Sequence, residues 1–463
     1  MKNLWLLTEE RPKLNVVKTI VERFCADYQL VLKIGTVKIE PILENKKFTF
    51  TYEVTGLSID TVGKIFIKTV SGDSSFVDYL VFLQESKPDQ TSKPLYAIEE
   101  TKTDDSESRN TGVYQRCSKF VFVDFFYPGI KKIMLYNLQI KQKEQPTLTS
   151  IFGTRMLRTI GVEIMGKKID DFIMKPFEST AELIDFKEKM PIPHSKDNVP
   201  IKIKEYPDKI TISGKLFKNE ALAHDPNIGA LSIIALCLRQ LKWEKEIVIV
   251  LHGLSQDHVG VDNKFIKICN RLNISLEGLA VPIATNGEIY WHYETSSEKL
   301  ASIFTHLVVE RYTNGKAIYE NHAGSERGYL FGKNHEVLVI PKYQEGKQAE
   351  YKLGNKTLIV SIPDLIIYDP DRNEIIDIEA KKYTTRVQGI ADIKNYDYLE
   401  EHIIKPLYDP VSFTRTVVIF GSSKTSISEP EISLLLNENG EIILGSNPPT
   451  IIKEAVENLL TSQ

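Results

Sequence analysis

Alternation of apolar and polar residues predicts several strands in the second half of the chain. EIIDIEAKK (374–382) alternates through most of its length, as is typical of a β-strand, and TLIVSIPDLIIYD (357–369) predicts a longer strand before it. The residues DPDRN (369–373) between them favour a tight turn, so the two strands are predicted to form a hairpin. EVLVIPKY (336–343) and TRTVVIFG (414–421) predict two further strands.

Apolar residues spaced three or four apart predict helices on either side of these strands. The segments with this spacing are SSEKLASIFTHLVVERYT (296–313), SERGYLF (325–331) and RVQGIADIKNYDYLEEHI (386–403). With the two adjacent helices at 296–313 and 325–331 taken together, helices and strands give the order α, β, β, β, α, β over about residues 300–425.

A similar order of elements occurs in the first half of the chain. The pattern predicts a helix near 12–29, strands near 48–54, 64–70, 76–83 and 94–103, a helix near 108–122 and a strand near 131–137. We therefore predict an α/β fold with mixed sheets, built from two αβββαβ units.

The composition of the chain changes between these two units. FKEKMPIPHSKDNVPIKIK (186–204) combines three prolines with alternating charge and has no sustained apolar period, which is typical of a connection. On this basis we predict an N-terminal unit over residues 1–150, a connection over 151–205 and a C-terminal α/β domain over 206–463.

Overall composition is that of an ordinary globular protein. Of the 463 residues 42% are hydrophobic and 26% charged, and no apolar run approaches the ~20 residues of a membrane span. Charged residues interrupt the N-terminal segment too early for a secretory signal. We therefore expect a soluble, cytoplasmic protein with no membrane partner. The net charge of −4 neither indicates nor excludes a nucleic-acid partner, because DNA binding needs positive charge only along one groove.

Carboxylates and a lysine share one face of the strand predicted at 374–382. With a period of two, Asp377, Glu379 and Lys381 point to the same side, and the hairpin brings Asp364 beside Glu379. Close carboxylates repel each other unless a cation neutralises them, and ligation by oxygen alone suits Mg²⁺. A lysine one pleat away can orient an attacking water and offset charge at phosphorus. The cluster therefore predicts a magnesium site for phosphoryl chemistry.

The sequence PD, followed on the next strand by an acid, one residue and a lysine, resembles the PD-(D/E)xK nuclease superfamily. The predicted element order over 300–425 is similar to the core of that superfamily. The resemblance implies that Asp364 and Glu379 are metal ligands, that Lys381 is catalytic, and that Mg²⁺ is the cofactor, with Mn²⁺ as a substitute. It also implies a further acid from the preceding helix, for which Glu326 or Glu320 is the candidate.

A second set of such residues occurs in the first half of the chain. Asp78 interrupts the apolar segment FVDYLVFL (76–83), and PLYAIEETKT (94–103) places Glu100 and Lys102 on one face of the next strand. These residues match the same superfamily pattern, which implies a second site with Asp78 and Glu100 as metal ligands and Lys102 as the catalytic lysine. The segment differs from the pattern in having no proline before Asp78 and a longer connection between its strands.

Two such units in one chain of this length resemble a Type II restriction endonuclease. The resemblance implies a Mg²⁺-dependent, sequence-specific endonuclease that acts on double-stranded DNA, and a cognate DNA methyltransferase in the same cell. Because one active site can face only one phosphodiester at a time, a chain with two sites could cut both strands as a monomer. A chain with one site would need a homodimer.

Three alternatives stay open on the sequence. One is a single active site accompanied by a degenerate nuclease-like unit used for recognition. Another is a noncatalytic DNA-binding module, which would bind without metal-dependent cleavage. The third is a metal-dependent hydrolase of a small phosphate compound, which would have a closed pocket in place of a basic groove.

Overall fold

The structure, a computed structural model, describes most of the chain. The described residues are 1–72, 76–101, 112–137, 145–190, 201–215, 225–252, 256, 259–260, 264–283, 289–320, 327–334, 336–341, 348–353 and 356–462.

Strands and helices alternate along the described chain. The first elements are β1 (Asn3–Thr8), α1 (Leu14–Tyr28), β2 (Leu32–Glu44), β3 (Lys47–Ile59), β4 (Ile65–Gly72), β5 (Tyr79–Gln84), β6 (Tyr96–Thr101), α2 (Gly112–Phe126) and β7 (Lys131–Tyr136). The next are α3 (Leu148–Thr159), β8 (Val162–Met165), α4 (Thr180–Glu188), β9 (Lys202–Glu205), β10 (Lys209–Lys215), α5 (Asp225–Gln240), β11 (Glu246–His252), α6 (Lys264–Leu272), β12 (Ile274–Leu276) and β13 (Trp291–Tyr293).

The C-terminal elements begin with a helix and a series of short strands. They are α7 (Lys299–Tyr312), β14 (Lys316–Glu320), β15 (Arg327–Phe331), β16 (Val337–Pro341), β17 (Gln348–Leu353), β18 (Lys356–Ser361), β19 (Leu365–Asp369) and β20 (Glu374–Lys382). They continue with α8 (Arg386–Asp392), α9 (Asp397–Leu399), α10 (Lys405–Tyr408), β21 (Ser412–Phe420), β22 (Ile432–Leu436), β23 (Ile442–Leu444) and α11 (Thr450–Thr461).

These elements form two compact units, each assembled from separate segments. Unit 1 consists of Met1–Trp5, Glu10–Val70 and Tyr293–Gln463, and unit 2 consists of Leu6–Glu9 and Ser71–His292. Unit 1 thus contains residues from both ends of the chain. The boundaries predicted near residues 150 and 206 instead divide the sequence into consecutive segments, and they stay a prediction.

Unit 1 contains an eight-stranded sheet in the order β16-β15-β14-β19-β20-β21-β22-β23. In it β20 lies between β19, which is antiparallel to it, and β21, which is parallel to it. A parallel pair needs a crossover connection, and here the chain between β20 and β21 passes through α8, α9 and α10. Helix α7 also packs against β20, β21 and β22. The central position of β20 matters because it carries most of the candidate site.

Unit 2 repeats part of this arrangement. Its strands β5, β6, β7 and β8 are neighbours in that order, with β5 antiparallel to β6 and the other pairs parallel. A second sheet has the order β12-β11-β10-β9. The segment predicted as a connection, 151–205, holds α4, β8 and β9 and most of α3.

The mixed α/β fold class is confirmed, and much of the apolar pattern located elements correctly. The strand predicted at 374–382 is β20, the helix predicted at 296–313 contains α7, and the strand predicted at 414–421 is β21. In the first half, the predicted helix near 12–29 is α1.

The helix predicted at 325–331 is wrong, because Arg327–Phe331 form the strand β15. The segment is too short to sustain an isolated helix, and aromatic residues such as Tyr329 and Phe331 favour strands. Strands β14 and β16 flank β15 and bond to its backbone on both sides. Tertiary pairing therefore decides the conformation of this segment.

The single strand predicted at 357–369 is divided into β18 and β19. Pro363 lies in the gap and has no N–H to contribute to a ladder, which accounts for the interruption. After it, β19 pairs with β14 and β20, whereas β18 pairs with β17.

The helix predicted at 386–403 is irregular and extends to residue 408. A 3₁₀ turn (Ile393–Asn395) and a π turn (Glu400–Ile404) separate its α-helical parts. The guanidinium of Arg415 in β21 donates to the carbonyl of Ile393 at 3.2 Å, the carbonyl that a regular helix would bond to residue 397. We call residues 386–408 the helical segment.

None of the helices in the described part of the chain combines the length and the apolar character needed to cross a membrane.

Candidate active site

Strand β20 is buried on both faces. Every residue from Ile375 to Lys381 is buried, and the acids Asp377 and Glu379 are among them. Burial of a charged side chain is costly unless the charge is paired and hydrogen-bonded, so the partners of these groups determine what the strand can do.

Asp364 lies beside this strand, immediately before β19 begins. β19 and β20 pair with Leu365 opposite Ile378, and one further step in the same register places Asp364 opposite Glu379. The backbone N–H of Ala380 donates a hydrogen bond to Asp364 Oδ2 at 2.9 Å. Residues directly opposite each other in an antiparallel pair lie on the same face. The structure therefore brings the carboxyl groups of Asp364 and Glu379 together, as the hairpin in the sequence indicates.

The ammonium group of Lys381 lies between two acids. Its Nζ is 2.5 Å from Glu379 Oε1 and 3.0 Å from Asp392 Oδ2 on α8. Glu379 is fully buried, whereas a third of the Asp392 side chain is exposed. The three residues predicted from the PD-(D/E)xK pattern are thus in one cluster, to which the structure adds Asp392.

A buried tyrosine fixes the other oxygen of Glu379. The hydroxyl of Tyr396, which belongs to the helical segment, donates to Glu379 Oε2 at 2.6 Å. Burial, followed by the negative charge of Glu379, raises the pKa of Tyr396 well above its ordinary value. The phenol therefore keeps its proton and acts as a donor to the carboxylate.

A second tyrosine, Tyr319 of β14, lies on the same face of the sheet as Asp364. β14 pairs with β19 so that Tyr319 is opposite Ile366, two residues from Asp364. Burial raises the pKa of Tyr319, and the charge of Asp364 adds to this effect. Among the described residues the buried Tyr319 hydroxyl has no hydrogen-bond partner. A buried hydroxyl without a protein partner is an expected position for a bound water or ligand oxygen.

Asp377 extends the cluster deeper into unit 1. Burial, with Glu400 close by, raises the pKa of Asp377 well above its ordinary value, and Arg415 opposes the shift. The guanidinium of Arg415 binds Glu400 at 2.6 Å. Asp377 is therefore favoured in its neutral form, which limits the negative charge beneath Glu379.

Three residues of the helical segment contact the cluster and were missed in the sequence. Gly389, Asp392 and Tyr396 are spaced by three and four residues, so they fall on one face of a helix. That spacing was the available signal, but it does not show which strand the face covers. A Cβ atom added to Gly389 would lie 2.7 Å from Lys381 Cγ and 3.2 Å from Val417 Cγ1. The backbone of α8 therefore lies close to β20 at Gly389, where there is little room for a side chain.

Gly389→Ala is expected to displace Lys381 and to destabilise unit 1. Overpacking costs about 1–3 kcal/mol and alanine recovers about 1 kcal/mol of helix propensity, so the net change is a loss of up to about 2 kcal/mol. Thermal unfolding followed by circular dichroism measures it, with Gln388→Ala on the exposed side of α8 as the control. An unchanged or raised melting temperature in Gly389→Ala would show that α8 and Lys381 adjust freely.

In unit 2, the structure places Asp78 beside Glu99. β5 and β6 pair with Tyr79 opposite Ile98, and the next step in the register places Asp78 opposite Glu99. The N–H of Asp78 donates to Glu99 Oε2 at 3.3 Å. Lys119 of α2 adds a cation, with its Nζ 2.8 Å from Glu99 Oε2 and 3.4 Å from Asp78 Oδ1.

Glu100, the predicted partner of Asp78, points to the opposite face of β6 because successive strand residues alternate. Its backbone N–H donates to Asp78 Oδ2 at 2.6 Å, but its Oε1 accepts a hydrogen bond from Asn137 Nδ2 at 3.0 Å. The structure thus does not bring the carboxyl groups of Asp78 and Glu100 to one face.

Two other predicted site residues, Lys102 and Glu326, lie outside the described residues. Glu320 ends β14, within the described chain.

Mg²⁺ fits the chemistry of the groups around Asp364. The candidate ligands, Asp364 and Glu379, offer carboxylate oxygens, and Mg²⁺ is commonly held by one or two carboxylates with waters and substrate phosphate completing the shell. Across the described residues there is no group of three or more His, Cys, Asp or Glu placed to hold a metal ion. The residues present therefore fit a Mg²⁺ site with two carboxylate ligands, in which substrate oxygens would complete the coordination shell. The buried Tyr319 hydroxyl is placed to bond a further oxygen.

No protein-family model, curated protein or solved structure matches this chain significantly.

Proposed function

We propose that this chain is a Mg²⁺-dependent, sequence-specific endonuclease that hydrolyses phosphodiester bonds of double-stranded DNA. The observation that carries the proposal is the placement of Asp364, Glu379 and Lys381. Asp364 bonds to the backbone next to Glu379, and Lys381 Nζ lies 2.5 Å from the Glu379 carboxylate. The resemblance of these residues to the PD-(D/E)xK pattern also supports an endonuclease function.

Each residue has a distinct role in the proposed reaction. Asp364 and Glu379 hold Mg²⁺ through carboxylate oxygens, and when bound the ion supplies positive charge that stabilises the developing charge on the phosphate. Lys381, fixed by Glu379 and Asp392, orients the attacking water and offsets negative charge at phosphorus. The water oxygen forms a bond to phosphorus and releases its proton to solvent. The bond from phosphorus to one sugar oxygen breaks, and that oxygen takes up a proton.

We also assign the protein to the Type II restriction endonucleases, on the resemblance described above. Its partners are then double-stranded DNA and, in the same cytoplasm, a DNA methyltransferase that protects the recognition sequence. Whether both strands are cut by a monomer or a homodimer depends on unit 2.

Cleavage should depend on a divalent ion that prefers oxygen ligands. Incubation of the purified chain with a mixed-sequence plasmid and Mg²⁺ or Mn²⁺ is expected to give discrete ends, which sequencing would locate. Ca²⁺ should support DNA binding with little cleavage, and excess EDTA should stop the reaction, because both candidate ligands are hard carboxylates. Undiminished cleavage in EDTA, or an intact plasmid under every metal condition, would contradict the proposal.

A noncatalytic DNA-binding role is the second candidate, and one observation favours it. Both oxygens of Glu379 are already bonded, Oε1 to Lys381 and Oε2 to Tyr396. A buried group with these bonds could serve packing alone. Gel-shift binding that needs no divalent ion, without strand breaks in Mg²⁺ or Mn²⁺, would support this role.

A further inference from the structure

The strand arrangement that holds Asp364 and Glu379 recurs in unit 2. In unit 1, β19 is antiparallel to β20, and β21 follows the helical segment parallel to β20. In unit 2, β5 is antiparallel to β6, and β7 follows α2 parallel to β6. The central strands β20 and β6 therefore have equivalent neighbours.

Strand register fixes which residues correspond. The pair Leu365 and Ile378 in unit 1 corresponds to the pair Tyr79 and Ile98 in unit 2. One step further along each register, Asp364 therefore corresponds to Asp78, and Glu379 corresponds to Glu99.

An equivalent backbone hydrogen bond in each unit leads to the same pairing of residues. Asp364 Oδ2 accepts from the N–H after Glu379, at 2.9 Å, and Asp78 Oδ2 accepts from the N–H after Glu99, at 2.6 Å. The correspondence then places Thr101 at the position of Lys381. Strand β6 accordingly has no lysine at that position.

The lysine comes from the helix in unit 2. Lys119 Nζ is 2.8 Å from Glu99 Oε2 and 3.4 Å from Asp78 Oδ1, so one ammonium group contacts both acids. Glu99 is buried, while about a quarter of the Lys119 side chain is exposed and reaches solvent. In unit 1 the ammonium of Lys381 likewise contacts a buried acid, Glu379.

We propose that Asp78, Glu99 and Lys119 form a second phosphodiester-hydrolysing centre, with Lys119 taking the role that Lys381 has in unit 1. The proposal rests on the endonuclease function proposed above and gives each strand of the duplex its own centre. Asp78 and Glu99 are the metal-binding acids, and Lys119 orients the water. The water oxygen bonds to phosphorus, one phosphorus–sugar oxygen bond breaks, and solvent receives the water proton and supplies one to the leaving oxygen. Glu100, held by Asn137 on the other face, has no part in it.

Strand-specific cleavage tests the assignment. Glu99→Gln and Lys119→Met should each slow cleavage of one labelled strand at least about 10²-fold, leave the other strand within about twofold of wild type, and turn supercoiled plasmid into nicked circle. Lys131→Met is the matched control, because Lys131 forms an ion pair with Glu163, 3.2 Å away, in the same unit. It should leave both strands cut at the wild-type rate. Thermal unfolding of each variant, and of the neutral pair Glu99→Gln with Lys119→Met, shows which proteins are folded.

Glu100→Gln and Lys102→Ala test the competing assignment made from sequence spacing. If they produce the nicked circle and folded Lys119→Met still cuts both strands, the assignment to Glu99 and Lys119 is overturned. Full double-strand cutting by all four variants would likewise overturn it and favour a homodimer that uses the unit 1 site.

Metal binding gives a readout independent of cleavage. Calorimetric titration with Mn²⁺ should find two sites per wild-type chain and one in Glu99→Gln, with Glu379→Gln losing the other. If the wild-type chain cleaves no DNA, the endonuclease function fails, but a Mn²⁺ site lost in Glu99→Gln would still support a metal centre in unit 2. A titration unaffected by Glu99→Gln would overturn that centre, whether or not the chain cleaves.

Discussion

Glu379→Gln is expected to slow cleavage of at least one DNA strand by about 10²–10³-fold, since it removes the charge of a proposed metal ligand. The substitution keeps the size of the side chain and one of its two acceptor oxygens, and it replaces the other oxygen by an NH₂ donor. The Tyr396 hydroxyl can still donate to the amide oxygen, and Lys381 keeps its contact with Asp392, 3.0 Å away. The variant should therefore fold and bind DNA. Cleavage of strand-labelled duplex in Mg²⁺, with binding measured in Ca²⁺, separates the two effects.

Glu374→Gln is the matched control for this prediction. Glu374 begins the same strand, five residues and thus about 17 Å from Glu379. It should cut at the wild-type rate. Equal rates for wild type and folded Glu379→Gln would exclude Glu379 as a catalytic ligand and leave the cluster a structural role.

Lys381→Ala is expected to lower the free energy of unfolding of unit 1 by about 3–5 kcal/mol, because it leaves the buried Glu379 carboxylate without its cation. The Tyr396 hydroxyl would still donate a hydrogen bond to that carboxylate. Thermal and urea unfolding measure the change.

Rescue by a second substitution distinguishes lost pairing from lost packing. The neutral pair Glu379→Gln with Lys381→Met keeps the volume of both side chains and removes both charges. It should recover most of the stability lost in Lys381→Ala, since a buried ion pair is often replaceable by neutral groups of similar size. The pair should still fail to cut the DNA strand that depends on unit 1. If Lys381→Met alone is as stable as the double variant, the ion pair does not contribute to the fold.

Local chemistry in the sequence determined the hairpin that carries Asp364 and Glu379. Asp369 Oδ1 accepts a hydrogen bond from the N–H of Asp371 at 3.0 Å, and Asn373 adopts the left-handed conformation with φ of 49°. Asp and Asn favour these turn geometries, so the turn could be predicted from residue types. With a turn this short, counting back from it places Asp364 opposite Glu379, and the strand alternation adds Lys381.

The burial of β20 on both faces could not be predicted in the same way. Alternating polarity is typical of a strand with one apolar face, but here Asp377 and Glu379 are buried as fully as Ile376 and Ile378. Their environment is supplied by the helical segment, through Tyr396 and the approach of α8 at Gly389. The sequence contains the spacing of these helix residues, but only the tertiary structure determines which strand the helix packs against.

The contrast between the two sets of acids has a simple physical reason. A short turn fixes the register of a hairpin, and in unit 1 residues 370–373 join β19 to β20. In unit 2 residues 85–95 join β5 to β6, and a connection of that length leaves the register undetermined by local sequence. A slip of one residue moves every side chain to the opposite face. The sequence alone therefore determined the partners of Asp364, whereas only tertiary pairing decided that Asp78 faces Glu99 and Lys119 rather than Glu100.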